Sequence, residues 1–195
     1  MPRRKLAFLP GHYYHIYNRG VDKRPIFHEA DNYIFLLHRL KKYALQFQIT
    51  VIAYCLMPNH YHFLLRQDND QSISIFMQRV FNSYTKAFNK RYHRSGPLFA
   101  GRYKAKHVAD DQYLLHLCRY IHANPVKDGF VTAPEEWQYG NYLEWIGERE
   151  GTLIDREFVS HYYPNPAEYA ADVRAYLLGK TDLPQDIQDY LKRIP

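Results

Sequence analysis

His60 and His62, one residue apart, are the first side chains in the chain whose types and spacing suit chemistry. They follow Met57-Pro58-Asn59, turn chemistry that interrupts an apolar run from Ile49 to Leu56. If a strand resumes at His60, alternation puts both imidazoles on one face and Tyr61, Phe63 and Leu65 on the other. Two imidazoles one pleat apart can grip one metal ion. The same spacing also describes two satisfied or exposed histidines on a sheet. A second pair is Tyr120 and Asn124, which share a face at helical spacing. Pro125 follows at once and disfavours continuing the helix. The pair reads as a phenol and an amide at a helix end, or as a half-buried tyrosine and an asparagine helix stop. Arg102, Lys104 and Lys106 alternate along a segment, Leu98 to Val108, that reads as extended. Three cations on one face suit a phosphate backbone. They equally suit a solvated edge strand whose lysines discourage aggregation.

The elements that must position these groups follow from periodicity. His12 to Asn18 alternates as a strand, with Tyr13, His15 and Tyr17 on one face and Tyr14 and Ile16 on the other. Ala30 to Phe47 carries Tyr33, Leu36, Leu37, Leu40 and Ala44 at helical spacing. Ile49 to Leu56 is rich in β-branched and aromatic residues, which favours a strand. Gln71 to Tyr92 is the clearest helix, with Ile73, Phe76, Met77, Val80, Phe81, Tyr84 and Phe88 as one stripe. A helix over Asp110 to Ala123, capped by Asp110 or Asp111, buries Leu114, Leu117, Cys118 and Ile121. Tyr120 lies roughly 110° from the centre of that stripe, on a flank that can face a site. The order strand, helix, strand, strand, helix, strand, helix predicts an α+β fold. Its sheet is mostly antiparallel and close to the ferredoxin-like arrangement. A charged, glycine-bounded stretch from Gly147 to Gly151 divides a domain over 1–147 from a C-terminal extension over 148–195. The extension reads as helical over Ala167 to Leu178 and near Gln185 to Leu191.

Composition narrows the classes. With 46% hydrophobic and 24% charged residues, the chain of 195 should be globular. A net charge of +6 and a pI near 9.2 fit a nucleic-acid binder. Aromatics at 16% suit stacking on unpaired bases, although most of these rings are expected in a core. Two cysteines in apolar surroundings, Cys55 and Cys118, fit a reducing compartment and a cytoplasmic location. The N-terminus Met1-Pro2-Arg3-Arg4-Lys5 is basic, with no apolar run after it to make a signal peptide. No stretch reads as a membrane span.

Taken together, these motifs resemble the single-tyrosine HUH transposases, and among them the group associated with repetitive extragenic palindromes (REP). The resemblance spans roughly Gly11 to Tyr142. It is carried by Asn18-Arg19-Gly20, by Ala53-Tyr54-Cys55-Leu56-Met57-Pro58-Asn59-His60-Tyr61-His62, and by Gly101-Arg102-Tyr103-Lys104. The last block is Arg119-Tyr120-Ile121-His122-Ala123-Asn124-Pro125-Val126. The family's histidine–hydrophobic–histidine pair falls on His60 and His62. Its nucleophilic tyrosine and the amide metal ligand four residues later fall on Tyr120 and Asn124. The resemblance implies cleavage and rejoining of single-stranded DNA, often beside a hairpin. It leaves a homodimer open and does not reach the extension.

The residue chemistry fits that implication. A phenol with pKa near ~10 is a poor nucleophile at neutral pH. A divalent ion on His60, His62 and Asn124, Mn²⁺ by its mixed N and O ligands or Mg²⁺ by abundance, would offset the phosphate charge and keep positions open for its oxygens. Two other classes compete: a metal-dependent hydrolase with no covalent step, and a non-catalytic module that binds single-stranded nucleic acid.

Overall fold

The computed structural model of the chain describes residues 6–181 and 185–194, so the basic N-terminal run Met1 to Lys5 lies outside the described residues. Four strands form one antiparallel sheet: β1 (Tyr13–Arg19), β2 (Ile49–Met57), β3 (His60–Gln67) and β4 (Lys104–Val108), in the order β2-β3-β1-β4. With helices α1 (Ala30–Phe47) and α2 (Ile73–Arg91) after β1 and β3, this is the expected ferredoxin-like arrangement. Both helices pack on one face, where Tyr14, Ile16, Tyr54, Leu56, Tyr61, Phe63 and Leu65 meet Leu36, Leu40, Phe76 and Val80.

The opposite face is covered by α3 (Asp111–Lys127), with α4 (Tyr142–Trp145), α5 (Arg156–Tyr162), α6 (Pro166–Leu177) and α7 (Gln185–Leu191) building out the same core. Asp110 caps α3 by accepting from the Tyr113 N–H at 2.8 Å. The helix does not stop before Pro125, as its sequence suggests, but runs through it to Lys127. The proline lies in the final turn, where its missing N–H removes a single helical hydrogen bond. The carbonyls of Asn124, Pro125 and Val126 accept from Asp128, Phe130 and Gly129.

A bulge in β2 matters to both faces. Val51 pairs with Leu65 and Ala53 with Leu64, so Ile52 is inserted and the alternation shifts by one. Ile49 and Val51 before the bulge, and Tyr54 and Leu56 after it, therefore all point into the α1–α2 core. The Ile52 carbonyl, lifted out of the ladder, accepts from Asn141 Nδ2 at 2.9 Å and Trp145 Nε1 at 3.1 Å. The outer edge of β2 is covered by 139–141, through Leu56 N–H to Tyr139 O and Asn141 N–H to Tyr54 O. Among the described residues no helix is long and apolar enough to cross a membrane.

Candidate active site

The site begins at the tight connection between β2 and β3. Gly20, just past β1, donates its N–H to Asn59 O at 2.8 Å and fixes that turn against the end of β1. A Cβ at Gly20 would stand 2.0 Å from the Arg24 carbonyl oxygen, so the close approach requires glycine. From this turn His60 pairs with Arg19 and His62 with Tyr17. Both imidazoles face α3, while Tyr61 and Phe63 lie in the opposite core.

Leu114, Leu117, Cys118 and Ile121 seat α3 on this face beside Ala53, Cys55 and Met57. That packing brings Tyr120 and Asn124 over the histidines. Asn124 Oδ1 lies 3.1 Å from His60 Nε2. The Tyr120 ring meets the His62 ring edge-on, with centroids 5.4 Å apart, and its hydroxyl is hydrogen-bonded to Asn124. All four side chains are buried. Burial pushes the Tyr120 phenol above its ordinary range, and the Asn124 hydrogen bond offsets part of that rise. Burial also lowers the His60 pKa, against the opposing pull of Asn124 and of Asp128.

Four participants are not evident from the sequence. His15 Nε2 stands 3.1 Å from His62 Nδ1, and His15 Nδ1 stands 2.8 Å from the Tyr190 hydroxyl. Burial, helped by the nearby Lys106 charge, takes the His15 pKa down to about 3, so the ring is neutral. Asp128 Oδ2 lies 3.8 Å from His60 Nε2. The Lys127 ammonium sits 5.0 Å from the Tyr120 ring centroid. Alternation along β1 was a usable signal for His15, which shares a face with Tyr17, but only the strand register puts that face beside His62.

The expected cationic row divides. β4 starts at Lys104, so Arg102 precedes the strand, in a bend where Asn18 Nδ2 donates to Gly101 O at 3.0 Å. Arg102 and Lys104 are exposed. Lys106 is half-buried, with its ammonium 4.4 Å from the Tyr113 ring centroid and 3.9 Å from that of Tyr190.

Among the described residues, no group of three or more His, Cys, Asp or Glu side chains could hold a metal. A metal here therefore depends on the amide. The separation of one pair in that donor set fits a shared ion. Adjacent ligands of an octahedral ion with bonds near 2.1 Å stand about 3.0 Å apart, and His60 Nε2 and Asn124 Oδ1 are 3.1 Å apart. With Nδ1 against His15, His62 would ligate through Nε2.

Residues 9–124 match the family model "Transposase IS200 like". The chain belongs to the IS200-like transposase family. The matched span takes in the whole sheet and runs from just before β1 to Asn124, so it contains His60, His62, Tyr120 and Asn124. A Haemophilus influenzae (strain ATCC 51907 / DSM 11121 / KW20 / Rd) protein named as a REP-associated tyrosine transposase is 29% identical over a 102-residue alignment that covers 47% of this chain. The chain spans 57% of the length of that curated relative. The solved structure of a REP-associated tyrosine transposase bound to a REP hairpin superposes with a TM-score of 0.65 at 16% identity. The superposition covers 80% of this chain and 94% of the other chain. At that identity the likeness is one of fold.

Proposed function

We propose that this transposase cleaves and rejoins single-stranded DNA with Tyr120 as the nucleophile, on strands that carry a hairpin or palindromic element. The observation that supports the reading is the convergence of four side chains from two elements. His60, Asn124 and Tyr120 are linked through hydrogen bonds, and the Tyr120 ring lies on His62. The hairpin preference rests on the relative solved with a REP hairpin.

In the proposed step the Tyr120 Oη–P bond forms and the P–O3′ bond breaks, leaving a 5′-phosphotyrosine and a 3′-hydroxyl. The phenolic proton is lost as the bond forms, and the departing 3′-oxygen gains one. Because the phosphotyrosine keeps the ester bond, a 3′-hydroxyl can attack it in reverse without a nucleotide cofactor. Asn124 orients the phenol through its hydrogen bond. His15 accepts the Nδ1 proton of His62 and so fixes the tautomer that presents Nε2. His60 Nε2, Asn124 Oδ1 and His62 Nε2 would hold Mg²⁺ or Mn²⁺, which when bound supplies the positive charge that polarises the scissile phosphate.

A denaturing gel with end-labelled single-stranded DNA tests the reading. A DNA–protein band that maps to the Tyr120 peptide supports it. Cleavage with no covalent band supports a hydrolase, binding with neither supports a non-catalytic module, and a linked peptide lacking Tyr120 removes the assignment.

A further inference from the structure

Beside the histidine site, on its β1–β4 side, lies a cleft of about 350 Å³ lined by the end of β1, the segment leading into β4, and the end of the C-terminal extension. Five of its lining side chains are cations: Arg19, Arg102, Lys104, Lys192 and Arg193. Among the described residues that line it, none is acidic. All five cations are exposed. The Asp189 carboxylate stands 3.8 Å from the Lys192 ammonium, one turn back along the chain. Exposed groups at that distance screen each other weakly.

The two C-terminal cations are held in place. Ile187 and Ile194, on either side of them, are buried in the core that α3 shares with the sheet. Tyr190 is bonded to His15, and its ring lies under the Lys106 ammonium. Lys192 and Arg193 therefore extend from an anchored segment toward Arg102 and Lys104. Bringing like charges together costs free energy unless an anion is shared among them. Tyr17 joins the two regions: it lines the cleft and its ring stacks on His62, with centroids 5.9 Å apart.

We infer that this cleft is a binding site for the phosphodiester backbone of single-stranded nucleic acid, completed by Lys192 and Arg193 of the C-terminal extension. It receives the nucleotides flanking the phosphate that faces Tyr120. A cleft of this volume is on the scale of a small-ligand pocket, which suits one strand. The inference rests on the proposed reading for the identity of its ligand. It assigns the extension a role in substrate binding that the domain carrying the histidines does not fill alone.

The test is the salt dependence of binding to a short oligodeoxythymidylate, in EDTA so that no chemistry occurs. Each phosphate contact to a single strand contributes about 0.7 to the slope of log K against log salt. The double variant K192A/R193A should lower the slope by roughly 1.4 and weaken binding most at low salt. The charge-matched variant K41A/K42A, on exposed positions of α1 across the sheet, should leave the slope unchanged. An unchanged slope in K192A/R193A, or tighter binding by it, overturns the inference. A covalent adduct formed by the native chain alongside an unchanged slope would sink the cleft and leave the Tyr120 reading intact. No adduct together with the expected fall in slope would do the reverse.

Discussion

On the face covered by α1 and α2, the sheet contributes Tyr14, Ile16, Tyr54, Leu56, Tyr61, Phe63 and Leu65 to an apolar core. On the face covered by α3, it contributes His15, His60 and His62 beside Ala53, Cys55 and Leu64. Apart from Asn32 and Gln67, the buried polar side chains of the described residues lie on strand positions facing α3, on α3 itself, or at α4. Both faces are equally closed to water but do different work. An apolar side chain gains free energy by leaving water, whereas a buried polar one must find a partner to avoid a penalty. The first face can therefore stabilise the fold with little regard to detail, and the second must be positioned in detail by its hydrogen bonds. Changes on the two faces should accordingly fail in different ways.

The largest expected effect is chemical. Tyr120→Phe should cut covalent attachment and cleavage by on the order of a thousandfold or more, because the attacking oxygen is gone. The ring remains, so the cost in stability should be about 1 kcal/mol for the lost hydrogen bond to Asn124. His60→Ala and His62→Ala should also abolish cleavage while retaining most DNA affinity. Tyr113→Phe should keep most activity. Adduct formation and a denaturant melt, run on each variant, separate the two kinds of loss. A Tyr120→Phe protein that still cleaves would dissolve the contrast between the faces.

The opposite pattern is expected across the sheet. Phe63 is fully buried between α1 and α2. Phe63→Ala should cost about 3–5 kcal/mol of stability through lost burial and the cavity left behind. The fraction that stays folded should form the adduct at the native rate. Urea unfolding gives the first number, and adduct yield per folded molecule gives the second.

These two faces were also unequally legible. The α1 bounds, Ala30 and Phe47, follow from the sequence because the helix has one buried stripe and one solvated side. In α3 that logic under-reads burial: Tyr113, His116, Arg119 and His122 are buried along with the expected stripe, since α5 to α7 help close the core behind it. His60, His62, Tyr120 and Asn124 were visible because each pair is local and obeys a strand or helix period. His15, Asp128 and Tyr190 were not, because their proximity depends on strand register, on α3 running through Pro125, and on where the extension docks. Lys106 shows the converse, since period two put it with Arg102 and Lys104, while its ammonium lies over the rings of Tyr113 on α3 and Tyr190 on α7.

On the α3 face acid should act through His122. His122 is buried, with Nε2 at 2.9 Å from Asn141 Oδ1 and Nδ1 bonded to the Tyr169 hydroxyl. Around it stand Tyr142, Trp145 and Tyr169, none of them charged. The neutral ring satisfies both partners, donating from Nε2 and accepting at Nδ1; a second proton would reverse the Tyr169 bond and place a charge in an apolar surround. Burial takes its pKa down from 6.5 to about 4, against a smaller upward pull from Asn141. Between those values the unfolded chain holds more protons than the folded one, so stability falls as pH drops from about 6.5 toward about 4. The expected loss from this residue is about 3 kcal/mol. A pH series of melts on the native chain and His122→Gln checks it; parallel curves would mean the ring does not report the acid response.

The smallest effect should come from His15, which holds a site residue without itself meeting DNA. Its ring is neutral and buried, and its Nε2 faces His62 Nδ1 at 3.1 Å. In the tautomer that the proposed metal site requires, it donates from Nδ1 to the Tyr190 hydroxyl and accepts at Nε2 from His62. Phenylalanine fills the same space but accepts nothing, leaving the His62 Nδ1 proton without its acceptor. The other tautomer then competes, and in it Nε2 carries the proton and cannot ligate. His15→Phe should weaken Mn²⁺ binding by about 10–100-fold, the usual cost of losing a partner behind a metal ligand. His15→Gln, which keeps an acceptor, should recover part of that loss. Electron paramagnetic resonance titration of Mn²⁺ without DNA reads the affinity, and ¹⁵N shifts of His62 read the tautomer directly. Native affinity in His15→Phe would show that the polar face tolerates an apolar substitution as readily as its opposite does, and the contrast between the two faces would then narrow to the four side chains around Tyr120.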